Sequence, residues 1–146
     1  GSDARITIDR NTARDAVKLA YIEQREGHDE KALELLNATL VAIRDLPRVG
    51  TFGFGIRDVQ IYALLGRTED ALAAFRDAID QGYRGSIIFD GWPLEIDPYL
   101  DTIRQDPRFV MMTDELERYI DVMRQSLIRA EQTGDFESLR ARVERT

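Results

Sequence analysis

The fold of this chain is decided by the stretch Leu65–Ala78, which reads LGRTEDALAAFRDA. Gly66 is followed at five, nine and twelve positions by a small, a large apolar and a small residue, which are Ala71, Phe75 and Ala78. This spacing suits two closely packed antiparallel helices, with the bulky side chain filling the groove between them. We therefore predict a helical hairpin with its corner at the glycine.

The same spacing occurs 39 positions earlier, where Gly27 is followed by Ala32, Leu36 and Thr39. The chain therefore contains a repeat. Two hairpins are predicted, over residues of about 12–46 and of about 54–82. Because isolated short helices are marginal in water, their stability is expected to come from the apolar stripes that face each other.

Capping signals predict where these helices begin and end. Thr12 and Asp15 have the spacing of a capping box at the start of the first helix, and Thr68 is predicted to cap the fourth helix. Pro47 ends the second helix, because proline lacks the backbone donor that a helix interior needs. Gly82 ends the fourth.

Two Asp-Pro pairs, at positions 97–98 and 106–107, predict two further helix starts. The last long helix then carries apolar residues at steps of three and four, which are Phe109, Met112, Leu116, Ile120, Met123 and Leu127. It is expected to end near Gly134 and, within a unit of about residues 97–146, to cap the open end of the repeats. Because this stripe is longer than a core of two hairpins needs, a homodimer through the last helix is the alternative.

The hairpin pattern resembles the tetratricopeptide repeat family, whose second helix carries the same small, large, small spacing. The stretch Asp97–Phe109, DPYLDTIRQDPRF, resembles the closing segment of the repeat regions at the C-termini of bacterial membrane-anchored transcriptional regulators and nucleotide cyclases. The resemblance implies an all-α interaction module, periplasmic if the parent protein is such a regulator and cytoplasmic otherwise. Three residues depart from the family pattern, where Asp58 replaces an apolar residue, Glu23 an aromatic residue and Tyr83 a proline.

Length, charge and hydrophobic content exclude some classes of protein. The chain has 146 residues, 43% of them hydrophobic, and a formal net charge of -7, so we expect one folded domain over residues 12–146 and no direct nucleic acid binding. No apolar run approaches the roughly 20 residues that span a bilayer, which predicts no membrane insertion. Gly1 and Ser2 are typical of a cloning remnant, before a lead-in over residues 3–11, and predict a segment cut from a longer protein.

Catalytic signals are few. The single histidine, His28, lies at a hairpin corner, and the absence of cysteine excludes thiolate zinc sites, so no enzyme, no cofactor and no metal site is predicted. The glycine-rich stretch at residues 50–55 has no following Lys-Ser or Lys-Thr, and favours a flexible connection over a phosphate loop. Trp92 is interpreted as a core anchor, with stacking on a ligand as the alternative.

The surface favoured for function is the outward face of the first helix in each hairpin, from which the resembled family lines its groove. In this chain that face presents basic residues, amides and a tyrosine, namely Arg14, Lys18, Tyr21, Gln24, Arg25, Arg57 and Gln60. Such a strip is suited to an anionic peptide or protein partner. Its alternatives are a small-molecule sensor that controls an attached output domain, and an ordinary solvated helix face.

Overall fold

A computed structural model of the chain describes residues 7–50, 53–85 and 93–134 together with Ala141. All regular structure within these residues is helical, which confirms the predicted all-α class. The elements are α1 (Ala13–Arg25), α2 (Asp29–Ile43), α3 (Arg57–Leu64), α4 (Thr68–Asp80), a 3₁₀ turn (Pro98–Leu100) and α5 (Pro107–Thr133).

Helix α1 packs against α2, and α3 packs against α4. In the turn between α1 and α2, Gly27 N donates to Gln24 O (3.1 Å) and His28 N donates to Glu23 O (2.8 Å). These two bonds form a Schellman motif, in which the residue after the helix adopts a left-handed conformation that favours glycine. Gly27 has a φ of 84°, as this motif requires.

The turn between α3 and α4 repeats these hydrogen bonds 39 residues later. Gly66 N donates to Ala63 O (3.1 Å), Arg67 N donates to Tyr62 O (2.9 Å), and Gly66 has a φ of 72°. The predicted corners at both glycines are therefore confirmed.

The side chains that define the repeat lie in the core. All five apolar positions of the predicted repeat have no exposed surface, namely Ala32, Leu36, Ala71, Phe75 and Ala78. The first two belong to a cluster around α1 and α2, and the other three to a cluster formed by α3, α4, the 3₁₀ turn and α5. Ile61 of α3 reaches into the first cluster, so α3 contributes to both.

The two Asp-Pro helix starts are also confirmed. The Asp97 carboxylate accepts from Tyr99 N (2.9 Å), and the Asp106 carboxylate accepts from Arg108 N (2.9 Å). The first start leads only to the short 3₁₀ turn, whereas the second begins α5. Helix α5 ends at Gly134, whose φ is 78°.

Two predicted caps are wrong. The hydroxyl of Thr12 makes no capping bond to α1, because it accepts from Asp9 N (2.8 Å) and donates to Thr7 O (3.0 Å). Thr68 is the first residue of α4 and not its cap, because Arg67 occupies that position as part of the preceding turn.

The apolar stripe of α5 lies against the core only as far as Ile120, which is partly buried at its edge. Met123 and Leu127 are 52% and 55% exposed. On α2, Leu33 is 50% exposed, because it follows the buried Ala32 directly and so points about 100° away from it round the helix.

Three predictions fall outside the described residues: Trp92 as a core anchor, an apolar plug over the core at residues 87–89, and most of a final amphipathic turn through residues 139–143. Among the helices that the structure describes, none is both long and apolar enough to cross a bilayer.

Candidate functional site

The seven residues predicted to line a groove do not form one continuous strip. Arg14 and Arg57 line the same cavity, together with Arg10 from the lead-in. Lys18 is exposed on α1 and is not among the described residues of this cavity.

The cavity has a volume of about 230 Å³ and lies where the start of α1, the end of α2 and the start of α3 meet. Its lining combines three arginines with apolar side chains. The lining residues are Arg10, Asn11, Ala13, Arg14, Ile43, Leu46, Gly53, Phe54 and Arg57. No carboxylate is among these described lining residues, although the net charge of the chain is negative.

Arg57 is the deepest of the three arginines. Burial lowers its pKa, Tyr99 and Asp97 partly offset this effect, and the nearby positive charge of Arg14 adds to it. Guanidinium groups stay charged in proteins, so the buried charge is a cost that a bound anion would offset. Arg57 Nη1 donates to the side-chain oxygen of Gln60 (3.0 Å), which orients the guanidinium at the cavity.

Gln60 lies beneath Arg57, and its side chain is buried within the chain instead of facing a partner protein. Its Nε2 donates to Asp97 Oδ2 (2.7 Å), and both side chains are buried. Burial raises the pKa of Asp97 despite this bond. The prediction that Gln60 lies on the groove surface is therefore wrong, because the segment before the 3₁₀ turn covers this face of α3.

Gln24 has a structural role besides its predicted place in the groove. Its Nε2 donates to Leu64 O (2.8 Å), a carbonyl at the end of α3. This bond joins the two helix pairs, and the Gln24 side chain remains half-buried.

Tyr21 and Arg25 form a separate pair further along α1. Arg25 Nη1 donates to the Tyr21 hydroxyl (3.1 Å), and its guanidinium carbon lies 5.7 Å from the ring centre. The Tyr21 ring also packs edge-on against Tyr99, with ring centres 5.2 Å apart. Much of the ring that was predicted to meet a partner is thus used within the chain.

Sequence reasoning missed Arg10, which lies in the segment assigned as a lead-in. A usable signal was its spacing, because Arg10 precedes Arg14 by four residues and side chains four apart share a helix face. Asn11 also lines the cavity, and no spacing or charge pattern in the sequence pointed to it.

Two of the three departures from the family pattern are explained by ion pairs. Glu23, although buried, binds His28 Nδ1 (2.6 Å) and Lys31 Nζ (3.0 Å), and these bonds lower its pKa. Asp58 pairs with Arg48 through two bonds, of 2.8 and 2.7 Å. Both charged residues therefore have partners where the family usually has apolar or aromatic side chains.

Glu23, Glu26 and His28 bring their oxygen and nitrogen atoms within 4.8 Å of one another. Lys31 already binds Glu23, and His28 binds the second oxygen of the same carboxylate. The cluster is thus a network of polar contacts within the chain at the turn between α1 and α2.

A second cavity, of about 420 Å³, opens between α2 and the start of α3. Its charged lining residues include Arg48, Asp58 and Asp77, and Arg48 pairs with both carboxylates. These three side chains therefore join the connection after α2 to α3 and α4.

Comparison with family models, with curated proteins and with solved structures produced no match to this chain.

Proposed function

We propose that this chain is a non-catalytic interaction module that binds an acidic segment of a partner protein. The binding site is the cavity lined by Arg10, Arg14 and Arg57. The observation that supports this most is the convergence of three guanidinium groups on one cavity in an acidic chain. Arginine binds carboxylates through two parallel hydrogen bonds, which gives such a site both affinity and direction.

The size of the cavity favours a side chain over a metabolite. Pockets for small molecules usually measure about 300–1,000 Å³, whereas this one measures about 230 Å³. Ala13, Ile43 and Phe54 give it an apolar wall against which the methylene groups of a glutamate can pack. For this cavity, a peptide is therefore preferred to a small molecule as the ligand class.

A tetratricopeptide-like arrangement of the two hairpins is part of the proposal. The identical turn hydrogen bonds, 39 residues apart, support it, as do the buried pairs Ala32 with Ala71 and Leu36 with Phe75, which have the same offset. The likeness of residues 97–109 to the closing segment of bacterial regulators supports a regulatory role within a longer signalling protein.

The experiment uses two labelled peptides, one of alternating glutamate and glycine and one in which glutamine replaces every glutamate. Fluorescence anisotropy measures the binding of each to the wild-type chain. We expect only the acidic peptide to bind. The double variant Arg10→Ala/Arg14→Ala should raise its Kd by about tenfold or more, because charge-assisted bonds are lost.

The matched control is Lys18→Ala/Arg25→Ala, which removes the same charge from exposed positions of α1 outside the described cavity lining. We expect a distinctly smaller loss of affinity from it. An equal loss in both double variants would indicate diffuse attraction along α1 and overturn the cavity as the site. Binding of the glutamine peptide with the same affinity would overturn the proposal altogether.

A further inference from the structure

The C-terminal half of α5 carries an apolar face that the described core does not cover. Its exposed side chains include Tyr119, Val122, Met123 and Leu127. Val122 is 65% exposed, a high value for an aliphatic side chain on a regular helix. Contiguous exposed apolar surface of this kind marks an association site.

This face continues the buried face of the same helix. Leu116 is buried in the second core cluster, and Ile120 is partly buried at its edge. From there the apolar residues follow at alternating steps of four and three, as Leu116, Ile120, Met123, Leu127 and Ala130. Alternation of four and three is the seam of a coiled coil, in which another helix packs along the stripe.

The helix has the length for such a partner. Residues 121–133 of α5 follow the last side chain that packs on the core, and at 1.5 Å per residue they extend roughly 20 Å. The ion pair between Arg76 and Glu115, at 2.6 and 2.9 Å, fixes the earlier part of α5 on α4. The exposed stripe therefore belongs to a helix whose first half is held on α4.

The charges beside the seam indicate which partner fits. Glu117, Arg124 and Glu131 follow one edge of the stripe at intervals of seven, with alternating sign. In an antiparallel helix pair, the residues on this edge face the same edge of the partner, and charges flanking a seam select partner and orientation. Arg124 of one chain then faces a glutamate of the other.

A parallel pair would lack this complementarity. The edge would then face the opposite edge of the partner, where the corresponding positions are Tyr119, Ser126 and Thr133. None of these side chains carries a charge at neutral pH. The alternating edge is thus complementary to itself only in the antiparallel arrangement.

We infer that the stripe is covered by a second copy of this chain, with the two α5 helices antiparallel. The resulting two-fold dimer is isologous, because each helix offers the same seam and the same edge. It does not depend on the proposed peptide site, which lies at the other end of the chain.

The first experiment measures oligomeric state by sedimentation equilibrium. We expect a dimer for the wild-type chain and a monomer for Met123→Glu/Leu127→Glu, because two charges in the seam would be buried in the dimer. The control is Gln125→Glu/Gln132→Glu, which adds the same charge on the opposite face of α5 and should remain dimeric. Circular dichroism checks that each variant keeps its helix content. A monomeric wild type, or a dimeric seam variant, would overturn the inference.

The second experiment tests orientation with charge swaps. Arg124→Glu makes the edge wholly acidic, and Glu117→Arg/Glu131→Arg makes it wholly basic, so each variant alone should dimerise about tenfold more weakly. Mixing the two variants should restore dimerisation as a heterodimer. If both variants dimerise like wild type and the mixture gains nothing, the antiparallel arrangement is wrong.

Discussion

Arg48 and Asp58 form a two-point ion pair that ties the connection between the helix pairs to the first turn of α3, with bond lengths of 2.8 and 2.7 Å. The Arg48 side chain is only 5% exposed and that of Asp58 15% exposed. Arg48 also donates to Gly55 O (2.8 Å), so one side chain holds both the loop and the helix. The pair explains how a charged residue occupies a position at which an apolar one was expected.

Arg48→Met should destabilise the chain by about 3 to 5 kcal/mol, because it leaves the largely buried Asp58 without its partner. Urea denaturation gives the free energy of unfolding. The control is Arg67→Met, whose pair with Asp70 is half-exposed and should contribute only about 0 to 1 kcal/mol. Equal effects in the two variants would contradict the structural role of Arg48.

The packing of α4 is tested by changing the volume of its buried side chains. Phe75→Ala should cost about 3 to 5 kcal/mol through the cavity it leaves, and Ala71→Leu about 1 to 3 kcal/mol through overpacking. Ala73→Leu, at an exposed position of the same helix, should change stability by less than about 0.5 kcal/mol. If thermal unfolding showed the two buried changes to be neutral, the repeat register would be wrong.

Glu23 should make stability depend on pH in the acid range. Hydrogen bonds from Lys31 and His28 lower its pKa from the ordinary 4.5, so its stabilising contribution is complete above that value and is lost as pH falls through the lower folded pKa. Glu23→Gln should therefore flatten the acid limb of a plot of unfolding free energy against pH. Glu34→Gln, at an exposed position of α2, serves as the control and should leave the limb unchanged.

Binding at the arginine-lined cavity should weaken as salt rises. Charges that face solvent are screened over about 10 Å at 0.1 M salt and about 3 Å at 1 M. The Kd of the acidic peptide should increase steadily across this range, and the slope should be shallower for Arg10→Ala/Arg14→Ala, in which two of the cavity charges are removed. A Kd independent of salt would exclude an electrostatic site.

The sequence by itself determined the repeat, its corners and the two aspartate caps, because these features depend on neighbours within a few residues. Glycines at positions 27 and 66 predict left-handed turns, since that conformation strains other side chains. The helical period likewise predicts that Ala32, Leu36 and Phe75 face inward. The caps at Asp97 and Asp106 followed from an equally local rule.

Only the tertiary structure decided the composition of the candidate site. Helical periodicity predicts the direction of a side chain from its own helix, but not which distant segment meets it. Gln24 binds a carbonyl 40 residues away and Gln60 a carboxylate 37 residues away, and Gln60 is buried there. Arg10 and Arg57 share a cavity for the same reason. Their proximity depends on how the helix pairs pack, and this is set by the summed burial of the whole core.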